Sequence, residues 1–401
     1  MAVWHLITGE YPPQVGGVSD YTRLIAEGLA TAGDSVHVWC PPAAGASPEI
    51  PGVVVHRELG GFTPSDLRRV GSMLNGMPAP CRLLVQWVPH SYGYRSLNLA
   101  FCAWLWVRVA RYGDRVEIMV HEPWLDFDRR SWRQSAAALV HRLMTAVLLR
   151  AAQRVWMSTR RWEGLWRPYA LGRRIPFVWL PLPNGVPVVE DPEGVAEVRS
   201  RYLPAGETLL GHFGTFGRHI TEMLTALLPS LLGRSGERGV LLIGRGSEEF
   251  RESLLALHPD LAGRVHATGV LSHPDISRHL AACDLLVQPY PDGVSTRRTS
   301  LLAGIAHGIP TVTTHGPATE ALWSESGAVA LAPGSEPLTV AALIESLLAD
   351  PEARRRLGHA GRRLYESRLA LSRTIQELRS TPSGTGLSGQ PAAEHLPAGL
   401  Q

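Results

Sequence analysis

Four cysteines are all that 401 residues supply, and Cys40, Cys81, Cys102 and Cys283 stand far apart, without a CxxC pair. No Cys/His spacing suits zinc, so the four read as reduced core residues. Excess charge of one sign is also lacking: 39 Lys and Arg face 36 Asp and Glu, a net +3. No overall field draws nucleic acid or acidic lipid to such a chain, and any basic site must be local. The opening MAVWHLITGEYPP has neither the basic start, the long apolar run nor the cleavage site of a signal peptide. The longest apolar run, 97–110, is broken by Asn98 and Arg108 and is too short to span a bilayer. A cytoplasmic protein is the expectation. No fixed-period repeat is visible, and GxGxxG is missing between the first strand and helix, where a nicotinamide enzyme would carry it. What is present is a 45% hydrophobic share, ample for sizeable cores, in a length that fits two domains.

Short runs of Val, Ile and Leu alternate with helical patterns. Val3–Thr8, Ser35–Cys40, Leu83–Val88, Val116–Val120 and Arg154–Met157 read as buried strands of a parallel sheet. A helix from near Ser19 carries Leu24, Ile25 and Leu29 on one face and is ended by Gly33. After Pro181–Pro187 and a charged helix around Glu197 the alternation restarts, with strands at Leu209–Phe213, Val240–Ile243, Val265–Thr268, Leu285–Gln288 and Thr311–Thr313. Two such sheets joined by a Pro/Gly-rich linker create a cleft onto which the C-terminal ends of both strand sets face. From Thr381 onward little can be buried, which predicts a disordered tail.

Several loops at those strand ends suit a phosphate or sugar. Gly16 and Gly17 lie between the first strand and helix, where backbone amides can approach a ligand; an ordinary βα turn is the plainer reading. His121 and Glu122 follow the strand Val116–Val120 directly, the place where open α/β sheets bind ligands. Asp126 and Asp128 form a DxD with no third ligand in sight, a weak metal signal. Gly211–Arg218 offers glycines, among them Gly217, and a cation; Gly244–Ser247 opens another helix. The densest polar loop is 292–300, DGVSTRRTS, before the apolar helix Leu301–Ala306. Two guanidiniums, four hydroxyls and a helix N-terminus converge there.

Taken in order, these fragments resemble one family, the glycosyltransferases of family 4. EYPPQVGGVSDYT, PLPNGVP, GHFGTFGR, VLLIGRG and VHATGVLSHPDISRHLAACDLLVQPYPDG carry the likeness, which spans residues 1 to about 378. It implies the α/β GT-B architecture, two facing Rossmann-like domains at 1–187 and 188–365, with a crossing helix at about 366–379 and a tail at 380–401. It also implies transfer of a sugar from a nucleotide diphosphate donor, with retention of configuration and without metal or other cofactor, to a glycan, lipid-linked or small-molecule acceptor.

On this resemblance His121 lies near the transferred sugar, Gly16 and Gly17 near the donor phosphates, Arg218 on the diphosphate, and Gly269 and Val270 at the base. Two departures stand out. The lysine expected a few positions after Arg218 is replaced by His219–Met223, and the family's two glutamates, placed by Gly308 and Pro310, become Ser295 and Ala303. The compensating reading gives catalytic charge to Arg218 with Arg298, and donor contacts to Arg297, Asp292, Gly293, Ser295, Thr296, Ser300, Gly217 and Gly244. The competing class is a GT-B scaffold that binds without turnover. Arg160, Arg161, Trp162, Trp166, Arg167, Arg173 and Arg174 form a basic, aromatic stretch suited to the inner membrane surface, or else a solvated face.

Overall fold

The computed structural model describes residues 1–93, 96–203, 207–233 and 238–380. The tail expected beyond Ser380 lies outside the described residues.

Seven strands form the first sheet: β1 (Val3–Ile7), β2 (Ser35–Trp39), β3 (Val53–His56), β4 (Arg82–Trp87), β5 (Arg115–Val120), β6 (Ala152–Met157) and β7 (Phe177–Trp179). All are parallel, in the order β3-β2-β1-β4-β5-β6-β7. Both faces are covered, which is why the central strands read as continuous apolar runs. On one face α1 (Gly17–Thr31) contributes Ile25 and Leu29 to a core with Trp4, Leu6 and Trp156. Gly33, just past that helix, takes φ = 87°, the left-handed turn that stops it. On the other face α2 (Pro64–Asn75), α3 (Leu99–Tyr112) and α4 (Trp132–Ala151) enclose Leu83, Val85, Phe101, Leu105 and Leu148.

A short α5 (Arg161–Trp166) places Trp162 and Trp166 in this same core. Of the stretch read as a membrane surface, the two rings are thus core, while Arg160, Arg161, Arg167, Arg173 and Arg174 are exposed. Arg167 pairs with Glu163, and Arg173 donates to backbone carbonyls of Leu149 and Arg150.

After α6 (Pro192–Tyr202) the second sheet holds β8 (Thr208–Phe213), β9 (Arg238–Ile243), β10 (Val265–Ala267), β11 (Leu285–Gln288), β12 (Thr311–Thr314) and β13 (Ala330–Ala332), in the order β10-β9-β8-β11-β12-β13. Its helices are α7 (Arg218–Gly233), α8 (Ser247–Leu257), α9 (His273–Ala281), α10 (Thr299–Ala306), α11 (Ala321–Ser326), α12 (Pro337–Ala349) and α13 (Pro351–Leu364). A π-turn at Tyr365–Leu369 then leads into α14 (Leu371–Arg379), which lies against α1. Ile375 and Leu378 enter the core beneath it, the Arg82 guanidinium donates to the Leu378 carbonyl, and Arg379 pairs with Asp34.

The sheets together give the GT-B arrangement of two parallel α/β domains. Each has a switch point, between β1 and β4 and between β8 and β11, where neighbouring connections leave to opposite faces and a crevice opens at the strand ends. Three strands escape the sequence reading. β3, β7 and β13 are edge strands of three or four residues, and β13 is Ala-Leu-Ala, with little β preference of its own.

Candidate functional site

A cleft of about 1220 Å³ runs between the two sets of strand ends. The first domain lines it with Glu10, Gly16, Gly17, Asp20, Tyr21, His90, His121, Glu122, Arg161 and Trp162; the second, with Gly214, Gly244, Arg245, Val270, Asp292, Ser295, Arg297, Arg298, Thr299 and Ser300. The first wall carries three carboxylates and two imidazoles together with Arg23 and Arg161; the second carries three guanidiniums together with Asp292 and His273.

On the first wall, Glu10 follows β1, and its carboxylate accepts the amides of Val18 (3.1 Å) and Ser19 (2.9 Å) at the start of α1. A Cβ on Gly16 would sit 2.4 Å from that carboxylate. The glycine loop therefore admits the chain's own anion, and two of the helix amides expected to meet phosphate are already engaged. His121 closes β5. It is 4% exposed, lies 2.8 Å from Gln86 Oε1 through Nε2, and meets the Tyr21 ring edge-on at 4.6 Å. Burial, with Arg297 adding to it, drives its pKa down to about 3, so the ring is neutral at physiological pH.

On the second wall, the 292–300 loop is fixed from three sides. Gly293 (φ = 89°) packs so closely on Gly316 that a Cβ would lie 2.5 Å from its amide nitrogen. The Thr296 amide donates to Glu320, and the Thr296 hydroxyl to the Ser158 carbonyl of the first domain at 3.1 Å. Thr296 and Gly293 hold the loop and do not line the cleft, contrary to the donor contacts expected of them. Arg297 spans the gap with its guanidinium 4.7 Å over the Trp162 ring. Desolvation lowers its pKa while Glu122 opposes the shift, leaving a cation between the walls. Arg298 stacks over Tyr290 at 4.4 Å and pairs with Asp292. Just beyond, α10 begins without a side-chain cap among the described residues; Ser300 there lies 3.2 Å from the Tyr290 hydroxyl.

Arg218, Gly217 and Gly269 also fall outside the cleft lining. The Arg218 side chain is 86% exposed and turns along α7 to pair with Glu222, its i+4 neighbour. Gly269 (φ = 65°) abuts Glu248 and donates its amide to Ser247 Oγ, leaving Val270 to face the cleft. The cation that the second domain presents beside Arg297 and Arg298 is Arg245. It sits inside the Gly244–Ser247 turn that the sequence marks, but as one of 39 basic residues it carries no signal of its own. The chain has no lysine at all, so no other position supplies the one expected near Arg218. Asp128 accepts the Arg130 amide in the turn before α4. Among the described residues no three or more His, Cys, Asp or Glu converge to hold a metal ion.

Two more buried histidines share the condition of His121. Burial takes His5 and His212 to about 4. All three are neutral when folded and take up a proton when unfolded near 6.5, so stability falls as pH drops from about 6.5 toward 4. Near pH 5 unfolding should bind about three protons through them, a slope of about 4 kcal/mol per pH unit. Denaturant melts between pH 7 and 4.5 measure this slope; a flat profile would refute the buried neutral assignment.

Residues 207–350 match the family described as glycosyl transferases group 1. Nothing matches among curated protein sequences. The structure resembles sucrose-phosphate synthase from Thermosynechococcus elongatus, at TM-score 0.69 and 18% identity, covering 94% of this chain and 97% of that one. It also resembles Anabaena HepE, solved in complex with UDP, at TM-score 0.65 and 16% identity, covering 94% and 98%. A third likeness is to WaaG, a glycosyltransferase involved in lipopolysaccharide biosynthesis, at TM-score 0.58 and 16% identity, again covering 94% and 98%.

Proposed function

We propose that the chain transfers a sugar from a nucleoside diphosphate sugar on the second domain to a hydroxyl acceptor on the first, with retention of configuration. One observation carries this reading: the cleft brings Arg245, Arg297 and Arg298 of the second domain to face a wall that holds Glu10, Asp20, Glu122 and a neutral His121 beside Arg23 and Arg161. The match of residues 207–350 to glycosyl transferases group 1 and the GT-B fold support it.

As the bond from sugar to diphosphate breaks, negative charge grows on the leaving β-phosphate. Guanidiniums held in place and the uncapped start of α10 stabilise that charge without reorganising. In this reading they supply what a metal ion would otherwise provide. Asp292 does not meet phosphate, because like charges repel; it aims Arg298. The neutral His121 exchanges hydrogen bonds with sugar hydroxyls and is not a general acid at physiological pH. Acceptor hydroxyls meet the carboxylates of the first wall.

HepE was solved with UDP and with UDP-glucose, so uridine donors come first in the test. Thermal melts with UDP, GDP and ADP should show one nucleotide raising Tm, since saturation at 100 times Kd adds about 2.7 kcal/mol. Release of that nucleotide from its sugar donors then reports turnover. Tight nucleotide binding with no turnover on any donor would replace the transferase by the scaffold.

A further inference from the structure

The outer face of α3 and α4 is built against the usual rule for a helix that covers a sheet. Such a helix turns its polar side to water. Here Trp132, Ala136, Leu139 and Leu143, spaced 4-3-4, form the outward stripe of α4, with Trp132 76% and Leu139 63% exposed. Opposite them Ala138, His141, Thr145 and Leu148 face the core. The adjoining α3 exposes Trp106 and Val107. From Val188 onward, among the described residues, only Val188, Leu257, Val270 and Leu338 are large, apolar and exposed to a similar degree. In the first domain Met1, Val15, Val54, Leu165 and Leu171 are exposed as well, none of them on α3 or α4.

Its charge is predominantly positive. Neither α3 nor α4 contains an Asp or Glu. Arg111, Arg129, Arg130, Arg133 and Arg150 are exposed around the patch, and none makes an ion pair among the described residues. The carboxylates nearest in sequence are the exposed Asp126 and the half-buried Asp128, whose side chain accepts the Arg130 amide. Arg133 lies 5.7 Å over Trp132, and Arg142 4.0 Å over Phe127, so cations and aromatic rings are interleaved.

We propose that this face seats the protein on an anionic lipid bilayer, with Trp132, Leu139, Leu143 and Trp106 at the headgroup boundary and the arginines on phosphates. Apolar side chains ringed by cations suit that interface, where apolar burial and attraction to anionic lipid add. A second copy meeting this face about a twofold axis would set arginine against arginine, which argues against self-association. The cleft lies on the opposite side of α4: His90, a cleft residue, stands edge-on to the core-facing His141 at 5.6 Å, so the outer stripe is free while the cleft is in use. The inference does not depend on which group is transferred.

The test is co-sedimentation of the whole protein with phosphatidylcholine vesicles, alone or containing phosphatidylglycerol, at low and high salt. Binding should require phosphatidylglycerol and weaken with salt, and tryptophan emission should shift to the blue, less so in Trp132→Phe. Leu139→Asp with Leu143→Asp, and separately Arg129, Arg130 and Arg133→Glu, should each lower the bound fraction about tenfold or more. Tm and nucleotide binding should be unchanged, which separates this outcome from failure of the transferase reading. Absence of phosphatidylglycerol-dependent binding, equal binding by the variants, or wild-type dimers that the same substitutions dissociate would overturn the proposal.

Discussion

Replacing Arg297 by alanine is expected to lower kcat/KM for sugar transfer about 30- to 1000-fold, the consequence of losing about 2–4 kcal/mol of charge stabilisation on the leaving phosphate. Arg297 is the cation that stands between the two walls, over Trp162 and within the field of Glu122. Lysine should restore only part of the rate, because it lacks the planar fork. Arg245→Ala should fall in the same range, whereas Arg218→Ala should cost less than about threefold, since an exposed pair with Glu222 contributes little. Arg298 is already partnered by Asp292, so its removal should also free that carboxylate to oppose the donor and raise KM. The ranking inverts the one that resemblance alone implies, in which Arg218 leads. Steady-state kinetics on the four variants decide it: a large loss at Arg218 with none at Arg297 or Arg245 would refute the assignment.

Asp114→Ala is expected to give the largest loss of stability in the first domain. Asp114 is buried after α3, where Oδ2 accepts from Arg108 Nε at 2.6 Å and Oδ1 from the Cys81 amide at 3.0 Å. Arg108, equally buried, also reaches the Gly71 carbonyl and Asn75. Removing the carboxylate strands a buried guanidinium and an amide, at a cost of about 3–5 kcal/mol. For domains of this size that lowers Tm by about 6–20 °C. Replacing both Arg108 and Asp114 by leucine should recover part of the loss, because no charge is then left unpaired. Calorimetry on the single and double variants measures the difference; a single variant that melts within about 2 °C of the parent would show the pair to be dispensable.

How far these features can be read before folding depends on the range of the interaction that makes them. Ten strands of the two sheets are visible in the sequence, most of them as apolar runs, because a parallel strand covered on both faces must be apolar throughout, a requirement written into three to six consecutive residues. The missed strands β3, β7 and β13 are edge strands paired on one side only; of the four edges only β10 is read, from Val265–Thr268. Positions in the cleft were legible for the same reason: His121 and the 292–300 loop end buried strands, and the parallel topology sends both ends to one rim. Which side chains turn into that rim was not. Arg218 closes a local pair with Glu222, Glu10 caps α1 across the glycine loop, and Thr296 reaches a carbonyl 138 residues earlier. The stretch around Trp162 and Trp166 and the stripe on α4 look alike as sequence, aromatic and basic, yet the rings of the first are buried and that of the second, Trp132, is bare. The sequence by itself determined the alternation of strands and helices, because each burial pattern repeats within a few residues. Only the tertiary structure decided which cation, carboxylate and helix face meet ligand or solvent, because a side chain has several partners within reach, near in the chain as for Arg218 and Glu10 or far as for Thr296, and packing selects among them.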